Sequence, residues 1–141
     1  MGVQEHLDAT RMLDAATVWS ETARRFEAAV PSVTGLHGMA ASLELLLEAT
    51  SSAIEAHVTA LLDRAADGLA RRGWSVTSTR GAEGRSSLLC AAQPPDADLQ
   101  AVVARLERAK VVVSVPEGAI RISPHMYAED SDIDRFLAVL G

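Results

Sequence analysis

Apolar positions recur most regularly between residues 51 and 72. Ile54, Val58, Leu61, Leu62, Ala65 and Leu69 fall on one face of a helix. Ser51 or Ser52 can cap its start, Arg71 and Arg72 suit the negative end of its dipole, and Gly73 fits the position just past it. A second helix is expected over residues 36–49, with Thr34 as N-cap and Leu36, Met39, Leu43, Leu46 and Leu47 as its apolar face. Upstream, residues 4–29 contain no Pro or Gly and are rich in Ala, Glu, Arg and Leu, which favours helix. Their stripe (Leu7, Met12, Leu13, Ala16, Trp19) is loose. Such an arm either packs on a partner chain or covers its own domain. Pro31 ends it.

Beyond Gly73 the period changes. Residues 74–79 and 86–92 read as strands around a loop at 80–85 that holds two glycines. Pro94 and Pro95 break the chain, and Asp96 or Asp98 opens a helix with Leu99, Val102, Val103 and Leu106 on one face. Val111 to Val115, β-branched at four of five positions, suits a buried strand. Pro116-Glu117-Gly118 turns the chain into a short strand at 119–123, where Ile120 and Ile122 point one way and Arg121 the other. Pro124 ends that strand for want of an N–H. Ile133, Phe136, Leu137 and Leu140 then mark a final helix. The expected class is α+β: N-terminal helices, then a small four-stranded mixed or antiparallel sheet covered by helices. Residues 1–34 form the helical arm and residues 35–141 the small domain.

Composition narrows the function. The chain has 141 residues, of which 48% are hydrophobic, enough to bury a core. Aromatics make up only 4%, so that core must be aliphatic. A net charge of −6 argues against nucleic acid or an anionic membrane as partner. The single Cys90 allows no internal disulfide. No run of eighteen apolar residues or secretory leader is visible, so a cytoplasmic location is expected. His6, His37, His57 and His125 show no metal-ligand spacing, so no metal is expected.

The candidate chemistry gathers near the C-terminus, where Arg121 stands on a strand close to His125 and Tyr127. The stretch Gly118-Ala119-Ile120-Arg121-Ile122-Ser123-Pro124-His125-Met126-Tyr127, with Ile133-Asp134-Arg135, resembles the C-terminal end of class V, fold-type I pyridoxal-phosphate (PLP) enzymes. These include cysteine desulfurases, selenocysteine lyases and kynureninase-like enzymes. Arg24-Arg25-Phe26-Glu27-Ala28-Ala29-Val30-Pro31 is similar to a second family segment, Arg-Phe-Glu-Ala-Gly-Thr-Pro, so the likeness runs from about residue 20 onward.

The resemblance implies the family's small domain without its large cofactor-binding domain. It implies that Arg121 grips a substrate carboxylate, for which a planar guanidinium is suited by its two parallel hydrogen bonds. The alternative is an internal ion pair between Arg121 and Glu117 or Asp134. His125 is either an acid–base group or part of a packed turn, and Tyr127 is a candidate beside it. The only lysine, Lys110, lies outside the family's lysine motif and reads as a solvated residue rather than a Schiff-base partner. Cys90, within a strand, reads as a buried thiol rather than a nucleophile.

Where similar enzymes carry a phosphate-binding threonine this chain has Ala29-Val30, and valine cannot donate that hydrogen bond. Ala128-Glu129 replaces an Asn-Thr, so Asp130 or Ser131 is expected to cap the last helix. No cofactor is expected on the chain alone, and PLP only if a partner completes the site. Three functions follow: a stand-alone truncated domain, an accessory or repurposed protein that binds a small carboxylate ligand or a partner; the small subunit of a split PLP enzyme, docked on a large-domain protein; or a non-catalytic homodimeric module.

Overall fold

The computed structural model describes residues 21–26 and 31–141. The Ala29-Val30 substitution and most of the 4–29 helix lie outside those residues. The described part of that expected helix, at Ala23–Phe26, is a single 3-10 turn. The chain divides into two units, Met1–Glu48 and Ala49–Gly141.

The first unit carries nearly all of helix α1, Val33–Ala49. It starts where Ser32 Oγ accepts the Gly35 N–H at 3.2 Å, so Ser32 takes the capping place expected of Thr34. None of its residues is buried, and Leu36, Met39, Leu43, Leu45 and Leu47 are each at least half exposed.

The second unit holds the core. Helix α2 spans Ser51–Ala70, and its cap is Thr50, whose Oγ1 accepts the Ala53 N–H at 3.3 Å; Ser51 and Ser52 already lie inside the helix. Val58, Leu61, Leu62, Ala65 and Leu69 are buried along the expected stripe. Gly73 (φ +76°) lets the chain leave α2, with Trp74 N–H donating to Leu69 O at 3.0 Å. Strands β1 (Ser75–Val76), β2 (Leu89–Ala92) and β3 (Ile120–Ile122) follow, with α3 (Leu99–Arg108) between the last two and α4 (Asp130–Leu140) at the end. Asp98 caps α3, its Oδ1 accepting the N–H groups of Gln100 and Ala101 at 2.9 and 3.3 Å.

The sheet is antiparallel, in the order β1-β2-β3, with Ser75 opposite Ala92 and Cys90 opposite Arg121. It has three strands among the described residues, not the four expected. Val111–Val115 makes one bridge, Ser114 to Arg121, with Arg121 N–H donating to Ser114 O at 2.7 Å. Beyond that pair the segment forms no further ladder with β3 among the described residues. Val111, Val113 and Val115 still pack against the core from this irregular segment.

Alternation within the strands sorts the side chains. Leu89, Ala91, Ile120 and Ile122 are buried on the inner face, where β2 meets α2. Leu61, Leu62, Leu69, Leu89, Leu106 and Ile120 are fully buried, each worth about 1.5–3 kcal/mol relative to exposure. α2 and α4 approach closely at Gly68, where an added Cβ would stand 2.6 Å from Leu137 Cδ2. A surface ion pair joins the same helices, with Arg64 holding both oxygens of Asp134 at 2.7–2.9 Å. Asp134 in turn holds the Arg64 guanidinium above its ordinary pKa. No single described helix is long and apolar enough to cross a membrane.

Candidate functional site

Arg121 occupies the middle of β3, between buried Ile120 and Ile122, and is exposed on the sheet's outer face. Its cross-strand neighbours are half-buried Cys90 and exposed Ser114. The Cys90 amide is fixed by Ser78 Oγ at 2.7 Å and its carbonyl by Thr77 N–H at 2.9 Å, so the strand under Arg121 is firmly tied. Neither acid expected to neutralise Arg121 does so among the described residues: Asp134 is held by Arg64, and no ion pair joins Glu117 to Arg121.

His125 and Tyr127 lie elsewhere. Both follow Pro124 in a turn closed by Ala128 N–H on His125 O at 2.9 Å, and both are exposed. Their rings stack at 4.8 Å between centroids, inclined by 26°. They line a groove of about 240 Å³ between the end of α3, this turn and α4, together with Lys110, Asp132 and Arg135. Arg121 is not among the groove's lining residues. The three candidates therefore do not share one pocket: the strand alternation that exposes Arg121 turns it away from the face on which Ile122 meets the groove.

Lys110 is exposed at the end of α3, as expected of a solvated lysine, but with φ +58°. The acid of the groove, Asp132, accepts Arg135 Nη2 on Oδ1 at 3.2 Å and the Glu129 N–H on Oδ2 at 3.0 Å. Asp132 also makes Glu129, rather than Asp130 or Ser131, the N-cap residue of α4.

Two long-range features have no local signature in the sequence. His57 on α2 bonds the Ala128 carbonyl through Nε2 at 2.8 Å and so pins the turn that carries His125 and Tyr127. Arg80 and Arg85, from the loop between β1 and β2, both bond Asp63 Oδ1 on α2. The Arg80 hydrogen bond foremost, with Arg85 beside it, holds the Asp63 carboxyl below its ordinary pKa of 3.8. Among the described residues no group of three His, Cys, Asp or Glu could hold a metal ion.

Comparison with known proteins gives the fold a lineage. Solved structures share it, two of them as follows. One is the apo cysteine desulfurase of Thermococcus onnurineus NA1, with a TM-score of 0.74 and 22% identity, the match covering 87% of this chain and 34% of that one. The other is a NifS-like protein, with a TM-score of 0.70 and 22% identity, covering 83% of this chain and 35% of that one. The chain thus spans about a third of the length of these structures. No curated protein matches it. The class-V aminotransferase model matches residues 7–136, nearly the whole sequence, and the chain therefore belongs to the aminotransferase class-V family.

Proposed function

We propose that this chain works as the small-domain part of a PLP-dependent enzyme of the desulfurase, lyase or aminotransferase kind. Its Arg121 would receive the substrate carboxylate, and a large domain outside residues 1–141 would hold the cofactor. The observation that carries this reading is Arg121 itself. It is a guanidinium fixed on a strand and exposed on the outer face, with no acid paired to it among the described residues. Such a group offers a carboxylate two charge-assisted hydrogen bonds.

Helix α1 supports the same reading. A helix of 17 residues is marginal in water unless its apolar face is covered, and Leu36, Met39, Leu43 and Leu47 are exposed. A docked large domain would supply that cover. The stand-alone reading, in which Arg121, His125 and Tyr127 together bind one small carboxylate, is less favoured, because His125 and Tyr127 line a groove that Arg121 does not. The homodimeric module loses its argument from an internally paired Arg121.

The test has two parts. Native mass spectrometry of the purified chain with added PLP should show no retained adduct. The tagged chain, isolated from its native cells, should carry a larger protein whose bound PLP becomes fluorescent after borohydride reduction. Arg121→Gln should leave that complex intact and weaken capture of an amino-acid substrate by about tenfold or more. A Lys110-dependent PLP adduct on the isolated chain, or a homodimer with no PLP-bearing partner, would overturn the proposal.

A further inference from the structure

The groove beside α4 holds groups that the Arg121 reading leaves unused. Two cations, Lys110 and Arg135, line it with one acid, Asp132, in a chain whose net charge is −6. Asp132 already accepts one hydrogen bond at each oxygen. Arg135 uses only Nη2 in that pair, so its remaining N–H groups are without an acceptor among the described residues.

Lys110 is placed there at a cost. It occupies the left-handed position that ends α3, with its N–H on Glu107 O and the Val111 N–H on Leu106 O, both at 2.9 Å. Glycine is the residue that this helix stop ordinarily takes, since a side chain there is strained. The helix stop sets the Cα–Cβ direction of Lys110, whose exposed side chain lines the groove.

The rest of the groove is mostly apolar and aromatic, with Ser123 among its lining. Val113, Ile122 and Phe136 form its wall, and the stacked His125–Tyr127 pair stands at its mouth, with Tyr127 78% exposed. At about 240 Å³ it lies below the roughly 300–1,000 Å³ of drug-sized pockets, so the ligand is small.

We infer that this groove binds a small aromatic carboxylate, whose carboxylate bridges Lys110 and Arg135 and whose ring lies against Tyr127 and the apolar wall. A second carboxylate site, distinct from the one assigned to Arg121, follows. It does not depend on a large domain, because every group it uses lies within residues 110–136.

The chain supplies its own reporters. Tyr127 is the only tyrosine and Lys110 the only lysine, so their side-chain NMR signals need no assignment. Benzoate, added to the purified chain, should shift both signals saturably. Benzamide, which has the ring without the charge, and acetate, which has the charge without the ring, should not do so over the same range. Lys110→Gly, which also relieves the positive φ, and Arg135→Gln should each weaken benzoate by about tenfold or more, the scale of one charge-assisted hydrogen bond. If Arg135→Gln fails to fold, Lys110→Gly decides alone. An absent or unsaturable shift, an equal response to benzamide, or unchanged affinity in Lys110→Gly would each overturn the inference.

Discussion

Replacing Gly68 by alanine sets two known effects against each other at one atom. Gly68 lies inside α2, where glycine is about 1 kcal/mol less favourable than alanine. On propensity alone, Gly68→Ala would stabilise the protein by that amount. The new methyl, however, would stand 2.6 Å from Leu137 Cδ2 and 3.0 Å from Leu137 Cγ. Leu137 is 6% exposed and packed in the core, so it has little room to turn away. Overpacking of this kind costs about 1–3 kcal/mol. The net expectation is a loss of about 1 kcal/mol.

The companion variant Leu137→Ala should lose about 2–5 kcal/mol by leaving a cavity. In that background the methyl of Gly68→Ala meets empty space, and its sign should reverse to a gain of up to about 1 kcal/mol. Urea unfolding of the four proteins, compared by midpoint at constant slope, measures the cycle. If Gly68→Ala stabilised both backgrounds equally, the close approach of α2 and α4 would not be what keeps the glycine.

Two further outcomes test the periphery. Asp98→Ala removes the acceptor for the first N–H groups of α3 and should cost about 1 kcal/mol in the same urea assay, with Asp98→Asn retaining most of it. The Asp63 carboxyl is held below its ordinary pKa of 3.8, so its contribution is present above that value and lost as pH falls through the lower folded pKa. Acid titration followed by circular dichroism should therefore show a shallower loss of stability below about pH 4 in Asp63→Asn than in the parent. Parallel curves would count against the Arg80–Arg85 cluster.

Local pattern and distant contact divide what the residues alone reveal. The stripe on α2, the Asp98 cap and the Gly73 exit were legible because each depends on spacing within a turn or two. So was the alternation that exposes Arg121, since it needs only the period of a strand. The apolar run at Val111–Val115 misled: β-branched content reports a fit to a half-buried surface, and the segment packs on the core without completing a ladder. α1 forms with the expected apolar face, but none of its residues is buried. The cap residues of α2 and α4 each fall just before the expected position, because several neighbouring polar residues offered the same chemistry. His125 and Tyr127 are neighbours in sequence, whereas Lys110 and Arg135 line the same groove only through the meeting of α3 and α4. His57 reaches Ala128 across 71 residues, and no motif encodes that distance.

The short turn at Pro116–Gly118 has a genetic consequence. It joins a segment held by one bridge to a strand only three residues long, in which Ile120, Arg121 and Ile122 alternate between core and solvent. Two residues of the turn, Glu117 at φ +50° and Gly118 at φ +80°, already use left-handed backbone to set the register. Insertion or deletion of a single codon there must be taken up by one flank or the other. β3 is paired with β2 at three positions and buries Ile120 and Ile122, so the shift falls on Val111–Val115, which has one bridge to lose. Descent can therefore change the length of this turn at the expense of the segment before it, while the strand after it keeps its faces.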